Sequence, residues 1–188
     1  METTKNPLPP YADVFFKRLS QYLDTPLYFF GSIQRPDYFT NGSDIDVDIF
    51  TNNETATLLA LQNFLPNISQ SDFKKVVWKL NNTGRVAKGY KLLYKENNVP
   101  YSEHPPFVVE FSIYNERNKR EILEEHNKKS TMPLMATWML ICLKFCFYTL
   151  AIIPSSVYIQ LKRFILNTIV GQQEEYFVVY DSFIKREK

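Results

Sequence analysis

The chain has 188 residues, a formal net charge of +2 and a hydrophobic share of 45%. This length and apolar share suit one domain, or two small lobes, with a real core, and they argue against a disordered chain. The nearly balanced charge excludes a strongly basic chain that binds nucleic acid over its whole surface, so any contact with RNA or DNA has to be local. The first residues lack the basic and apolar stretches of a secretory signal, and we expect a cytoplasmic protein.

The N-terminal part predicts helix, strand, strand and helix. Residues 12–24 space their apolar side chains as one face of a helix does, and the apolar run 27–30 is typical of a buried strand that enters a tight turn at Gly31-Ser32. Residues 44–50 alternate aspartate with apolar residues, as a strand with two different faces does. An Asn- and Thr-rich stretch that follows is typical of a helix start.

Two further strand regions follow in the middle of the chain. Residues 73–95 hold two β-prone runs separated by Asn, Asn, Thr and Gly, which predicts a hairpin. Residues 107–114 are apolar like a central strand but carry Glu110 in their middle. A carboxylate there is costly unless it pairs with a buried Arg or Lys or coordinates a cation, and we expect one of the two.

From residue 116 the pattern becomes helical, first highly charged and then strongly apolar over 132–153. That apolar run of 22 residues is long enough to span a membrane, but Lys144 near its centre favours a buried core helix. Cys142 and Cys146 lie four residues apart and are expected to be buried thiols on this helix. Another amphipathic helix is predicted after Pro154, and the C-terminal end is expected to be a strand or a short helix.

The aspartate row is the strongest chemical signal in the chain. Asp44, Asp46 and Asp48 share one strand face at intervals of roughly 6 to 7 Å, so they repel one another unless cations bind to them. With Glu110 on a later strand, they predict a site for two divalent ions that serves phosphoryl transfer. Gly31 would let the backbone approach a phosphate closely, and the Ser32 hydroxyl would hydrogen-bond phosphate oxygens.

These motifs resemble the nucleotidyltransferase superfamily that includes DNA polymerase β. Its signature is Gly-Ser, a spacer of about nine to thirteen residues, and then Asp-apolar-Asp-apolar. Here an eleven-residue spacer, 33–43, separates Ser32 from Asp44-Ile45-Asp46-Val47. The pair Asp46 and Asp48 also fits, but the Ser-Asp-apolar-Asp form favours Asp44 and Asp46.

Within that superfamily the chain looks like the branch of poly(A) polymerases, terminal uridylyltransferases and oligoadenylate synthetases. The resemblance implies an α+β fold, with a mixed-sheet catalytic core at 1–115 and a helical subdomain at 116–188 that packs on it. It makes Glu110 the third metal ligand beside Asp44 and Asp46. It also makes Lys144 a contact of the nucleotide triphosphate, the alternative being a lysine that snorkels or is paired in the core.

Several hydroxyl groups would hold phosphates on the same resemblance. Ser32 and Ser43 belong to the predicted loop, and Ser155 and Ser156 lie where the family often places a serine that contacts the triphosphate, with Ser156 taken as the binding residue. Arg35 either reaches a phosphate or is simply solvated.

The expected activity is transfer of a nucleoside monophosphate from a nucleoside triphosphate to a hydroxyl group, with Mg²⁺ or Mn²⁺ and release of pyrophosphate. By resemblance, ATP is among the expected nucleotides and an RNA 3′ end is the first choice of acceptor. A protein, a small molecule or a second nucleotide remains open as acceptor. Two other classes are a catalytically inactive adaptor with this fold and, through residues 132–153, a membrane-anchored protein, although we expect no membrane partner.

Overall fold

The computed structural model describes residues 3–40, 42–80, 83–96 and 107–171, and the backbone of 176–178. The helices are α1 (Pro10–Leu23), α2 (Glu54–Phe64), α3 (Lys119–Ser130), α4 (Leu134–Lys144) and α5 (Ser155–Phe164). The strands are β1 (Leu27–Phe30), β2 (Ile45–Thr51), β3 (Lys74–Lys79), β4 (Val86–Lys95), β5 (Val108–Asn115) and β6 (Tyr176–Val178).

The six strands form one sheet in the order β1-β2-β5-β4-β3-β6. Strands β2 and β5 are parallel, and every other neighbouring pair is antiparallel. A parallel pair needs a long crossover, which the chain supplies through α2 and the β3–β4 hairpin. The prediction of an α+β protein with a mixed sheet is confirmed.

Alternation in β2 decides which face of the sheet is the core. Ile45, Val47 and Ile49 are almost fully buried, and they pack with α1 through Phe16 and with α2 through Leu61. Burying an aliphatic side chain of this size stabilises the fold by roughly 1.5 to 3 kcal/mol, so the apolar row fixes the register of the strand. The aspartates of β2 therefore point to the opposite face.

That opposite face is covered at one end by α3. Ile122 of α3 packs into a second cluster with Trp78, Phe50 and Tyr114, all of them nearly inaccessible to solvent. The other end of the face is left open and holds the acidic residues described below.

Helices α4 and α5 pack on each other through a third apolar cluster that includes Leu140 and Tyr158. The predicted core helix over 132–153 is present over a shorter range, Leu134–Thr149, and only its inner face is buried. Helix α4 ends at Lys144, a wider helical turn follows at Phe145–Thr149, and Ala151 takes a positive φ of 52° before Pro154. Pro154 removes a backbone donor and cannot continue a helix from the preceding turn.

No single helix in the described ranges is long and apolar enough to cross a membrane; the pair Glu116–Ser130 and Leu134–Thr149 meets that length and composition only together, and it is bent by 82°. The expectation of two buried thiols is wrong, because Cys142 is exposed and Cys146 is only half-buried. The apolar run covers both faces of α4, and the inner face alone is buried. The division of the chain at residues 115 and 116 stays a prediction.

Candidate active site

The Gly-Ser turn lies directly against the aspartate strand. After β1 the chain makes a tight turn at Gly31–Gln34, and Gly31 has a φ of +69°. A Cβ atom added to Gly31 would overlap the Asp46 carboxylate at Oδ2. Glycine is therefore needed here both for its positive φ and for the missing side chain. Ser32, 8% exposed, lines the cleft that Gly31 and Asp46 also border.

Three predicted carboxylates come together in that cleft, which has a volume of about 800 Å³. Asp46 of β2 and Glu110 of β5 are direct partners in the parallel pairing, and Asp44 immediately precedes β2. Asp44 is exposed, whereas Asp46 and Glu110 are partly buried. The sheet register thus places the three carboxylates at one open end of the β2–β5 pair.

Two of these carboxylates have a pKa above the ordinary value of an aspartate. Burial, and then the negative charge of Glu110, raise the pKa of Asp46 to about 7, against the opposing charges of Lys162 and Lys91. Loss of surrounding water is also the main cause that raises the pKa of Asp44, where Lys162 opposes the shift. A cation bound between these groups would remove the repulsion that disfavours their charged forms.

In the metal-free structure a lysine balances part of the negative charge of these carboxylates. Lys91 of β4 forms an ion pair and hydrogen bond with Glu110. Within the described ranges, no three His, Cys, Asp or Glu side chains are close enough together to ligate one ion. The donor set nevertheless fits Mg²⁺ or Mn²⁺, which prefer carboxylate oxygens, provided that Glu110 turns from Lys91 towards the aspartates.

Asp48 has a different environment from the other two aspartates. It is fully buried, and its Oδ2 lies 2.9 Å from Nε2 of His126 on α3. His126 in turn stacks on Phe30 with ring centroids 4.0 Å apart. Asp48 does not line the cleft, whereas Asp44 and Asp46 do. Asp44 and Asp46 thus face the cleft together, and their assignment as the metal pair stays a prediction.

Lys144 is buried and paired in the core, which is the alternative that the sequence left open. Its Nζ donates hydrogen bonds to the Asp37 carbonyl at 2.7 Å and to Ser43 Oγ at 3.1 Å, and it lies 3.0 Å from Asp37 Oδ2. Arg35 also donates to the Asp37 carboxylate, at 2.8 and 3.2 Å. Lys144 borders the cleft, so its contact with a triphosphate stays a prediction.

Some of the remaining predicted residues line the cleft and others do not. Arg35 is 8% exposed and held by Asp37, so the reading as a solvated arginine is wrong, and its side chain borders the cleft. Ser43 and Ser155 also line the cleft. Ser156, the serine chosen from the sequence, does not line it, although the preceding residue at the start of α5 does.

Sequence reasoning missed the basic side chains that α5 brings to the cleft. Lys162 and Arg163 both line it, and the charge of Lys162 acts on Asp44 and Asp46. Lys162 stabilises the ionised carboxylates and faces the space that a triphosphate would need. The signal that could have found it is the amphipathic pattern of α5, since a basic pair among apolar residues marks the polar side of a helix.

Aromatic rings form the far wall of the cleft. Tyr148 stacks on Phe39 with centroids 5.6 Å apart, and Phe147 stacks on Tyr158 at 4.2 Å. Burial is the main cause that raises the pKa of both tyrosines, so their hydroxyl groups remain protonated at neutral pH. The cleft thus has carboxylates on the sheet side and lysines and aromatic rings on the helical side.

Comparison with known proteins agrees with this arrangement. A family model described as a nucleotidyltransferase domain matches residues 13–129, which include the Gly-Ser turn and all three carboxylates. No curated protein and no solved structure gives a significant match. Since the family model covers more than half of the chain, the protein belongs to the nucleotidyltransferase domain family.

Proposed function

We propose that the protein is a metal-dependent nucleotidyltransferase that moves a nucleoside monophosphate from a nucleoside triphosphate to a hydroxyl acceptor. The observation that carries this proposal is the meeting of Asp44, Asp46 and Glu110 in one cleft whose edge is the Gly31–Ser32 turn. A chain in the nucleotidyltransferase domain family that keeps this set has the groups that nucleotidyl transfer needs.

Asp44, Asp46 and Glu110 would hold two divalent ions, Mg²⁺ or Mn²⁺. When bound, such ions lower the pKa of an attacking hydroxyl and neutralise the charge that develops on pyrophosphate. The fit rests on the oxygen donors of Asp46 and Glu110, which are partly buried, and on the raised pKa of Asp46, because a divalent cation compensates the cost of desolvating a carboxylate.

The protein's own side chains would orient the triphosphate. Ser32 lines the cleft next to Gly31, and Lys162 and Arg163 line it from α5. Charge-assisted hydrogen bonds from these cations hold phosphate oxygens more strongly than neutral donors do. In the transfer, the acceptor oxygen bonds to the α-phosphorus, the bond from that phosphorus to the bridging oxygen breaks, pyrophosphate keeps the electron pair, and the hydroxyl proton passes to solvent.

The 3′ end of an RNA is the acceptor that we propose, in keeping with the poly(A) polymerase and terminal uridylyltransferase branch. The support is the resemblance of β5 and of the helix containing Lys144 to that branch, together with the basic side chains around the carboxylates. The aromatic wall of Tyr148 and Tyr158 is suited to stack on a nucleobase.

The test is transfer from α-labelled nucleoside triphosphates in the presence of Mg²⁺ or Mn²⁺ to a panel of acceptors that includes RNA, DNA, protein and small hydroxyl compounds. Asp44→Ala combined with Asp46→Ala is expected to lower the transfer rate by at least about 10³-fold, because it removes the oxygens that hold the ions. Asp13→Ala, at a half-buried aspartate on α1 that pairs with the exposed Lys17, is the control and should leave the rate within about twofold.

Transfer to RNA by the unaltered protein, lost in the double variant and kept in the control, supports the proposal. Equal, background incorporation by all three proteins with every acceptor would contradict it and would favour an inactive adaptor. Transfer to a protein, a small molecule or a second nucleotide, and not to RNA, would keep the enzyme and replace its acceptor.

A further inference from the structure

A second cleft of about 640 Å³ lies beside the active site. We call it the lysine groove. It is formed by the segment 66–72, by Lys74 and Val76 of β3, and by alternate residues of β4 from Lys91 through Leu93 to Lys95. Its floor is the same face of the sheet that carries the aspartates, because β4 pairs with β5 and β5 pairs with β2.

The two clefts meet at Glu110. Lys91, Lys95 and Glu110 line both of them, whereas the Gly31–Ser32 turn and the basic residues of α5 line the active-site cleft alone. In an in-line displacement, the attacking oxygen and the leaving pyrophosphate lie on opposite sides of the phosphorus. If the triphosphate lies towards the turn and α5, the attacking hydroxyl arrives from the side of the lysine groove.

The charges of the groove call for an anionic ligand. Lys74 and Lys91 are direct cross-strand partners, so their like charges repel each other. Lys91 is balanced by Glu110, but Lys74 and Lys95 are exposed and form no ion pair with any described residue. Asp72, the other carboxylate in the groove, accepts hydrogen bonds from the backbone and hydroxyl of Ser69.

Apolar side chains lie between these charges. Leu93 is 54% exposed and lies between Lys91 and Lys95 on the same strand face. Pro66 and Ile68 border the groove on the side of the segment 66–72. Cations at intervals with an apolar surface between them match a ligand that carries several phosphates joined by sugars, each of which bears a base.

We infer that the lysine groove binds the acceptor, and that the acceptor is the 3′-terminal strand of an oligonucleotide. Its phosphodiester groups would contact Lys74 and Lys95, a sugar or base would cover Leu93, and the terminal hydroxyl would lie at Glu110. The hydroxyl oxygen then bonds to the α-phosphorus of the triphosphate, pyrophosphate leaves, and the proton passes to solvent. This inference rests on the proposed nucleotidyl transfer, and it assigns the acceptor to residues outside the triphosphate cleft.

The experiment compares Lys74→Gln with Lys79→Gln in the full chain. Both lysines are exposed and lie on β3, but their odd separation in sequence places them on opposite faces of the sheet, and Lys79 does not line the groove. Binding of fluorescein-labelled ten-nucleotide RNA and DNA is measured by anisotropy over a series of salt concentrations. The steady-state constants for RNA and for the triphosphate are measured in parallel.

For Lys74→Gln we expect a Kd for the oligonucleotide that is higher by about five- to tenfold, and a slope of log affinity against log salt that is smaller by about 0.7, as for one lost phosphate contact on a single strand. The KM for the oligonucleotide should rise by a similar factor, while the KM for the triphosphate stays unchanged. Lys79→Gln should behave like the unaltered protein. Comparison of the Kd values for RNA and for DNA identifies which oligonucleotide the groove prefers.

Equal affinities and salt slopes for the two variants would overturn the inference, and so would a failure of the unaltered protein to bind either strand while it transfers nucleotides to a small acceptor. In both of these results the triphosphate still binds and reacts, so the nucleotidyl transfer itself survives. Absence of triphosphate binding in the presence of Mn²⁺ would instead contradict the proposed function, and the groove's assignment as the acceptor site would fall with it.

Discussion

Three aspartates of one strand face have three different environments. Asp44 is exposed at the entrance of the cleft, Asp46 is packed against Gly31, and Asp48 is fully buried beside His126. The covalent chemistry of the three side chains is identical, so their surroundings alone decide which ones can reach an ion. Asp48 contributes to the packing of α3 on the sheet, and the other two face the open cleft.

Gly31 provides a test of how tightly the turn is fitted to Asp46. Gly31→Ala is expected to destabilise the fold by clearly more than about 1 kcal/mol and to abolish most transfer, because the new Cβ overlaps the Asp46 carboxylate. Gly84→Ala is the matched control, since Gly84 has a φ of +66° but no atom within 4 Å of an added Cβ. Urea denaturation and transfer rates measure both effects. Equal losses of stability in the two variants would show that φ alone matters at Gly31.

Asp46 itself is expected to destabilise the metal-free protein at neutral and alkaline pH. Its raised pKa means that the folded protein keeps a proton between about pH 4 and pH 7 that the unfolded chain, with a value of 3.8, has already lost. Stability conferred by that bound proton therefore decreases as the pH rises through this window. Asp46→Asn should raise the Tm in the presence of a chelator, more at pH 8 than at pH 4.5, while transfer is lost.

Asp48→Ala is the matched comparison for that variant and should act in the opposite direction. It leaves buried His126 without its neighbouring carboxylate, which costs about 1 to 3 kcal/mol. Its Tm should therefore be lower than that of the unaltered protein at every pH where both fold. A rise in Tm for Asp48→Ala, or a fall in Tm for Asp46→Asn at pH 8, would contradict the environments described for these two aspartates.

At the scale of elements, a buried ion-pair network joins the loop after the Gly-Ser turn to α4. Asp37 of the loop lies between Arg35 and Lys144, and the exposed fractions of these three side chains are all 8% or less. Burial raises the pKa of Asp37, but the hydrogen bonds and charges of Arg35 and Lys144 outweigh it and hold that pKa below 3.8. The network therefore positions the loop that carries Ser43 over the cleft.

Asp37→Ala should destabilise the fold by about 3 to 5 kcal/mol, because it leaves two buried cations without their counter-charge. Urea denaturation at pH 7 measures the loss, and Asp13→Ala, at a partly exposed pair, should cost less than about 1 kcal/mol. Since the pKa of Asp37 is depressed, the stability that its charge provides is present above pH 3.8 and decreases as the pH falls towards its folded pKa. A loss that is equally large at pH 7 and pH 2 would contradict a role for the charge.

Elements with a periodic hydrophobic pattern could be predicted in detail from the sequence. A uniformly apolar run did not reveal the bounds or the buried face of its element. The alternation in β2 predicted that strand, because burial on one face produces a two-residue hydrophobic period. The residues of the β3–β4 turn predicted the hairpin, because such turns require particular residue types. The apolar run of α4 carries no such period, so the helix was predicted but its bounds and its exposed face were missed. Lys162 was missed because its approach to the cleft depends on how α5 packs, which is a long-range contact.

At the scale of the whole molecule, ion binding and stability should be coupled through pH. Saturating Mn²⁺ should raise the Tm of the unaltered protein, since a ligand at 100 times its Kd stabilises the fold by about 2.7 kcal/mol. Because Asp46 has to lose a proton first, the apparent affinity should weaken by about tenfold for each pH unit below about 7. Thermal melts in Mn²⁺ at pH 6, 7 and 8 measure this.

The variant that combines Asp44→Ala with Asp46→Ala is the control for that coupling and should show no Mn²⁺-dependent change in Tm. A shift in Tm that is the same at pH 6 and pH 8, or that persists in the double variant, would place the ion elsewhere in the protein.

The hydrogen bond between Lys144 and the loop also determines when the loop can fold while the chain is being synthesised. Lys144 and Asp37 are 107 residues apart, and the lysine is added long after β1, β2 and the loop between them. A nascent chain that has emerged only as far as β5 already has Asp44, Asp46 and Glu110, but it lacks the ammonium group that completes the charge balance of Asp37 and reaches Ser43. The loop over the active site therefore reaches its final arrangement only after α4 has left the ribosome.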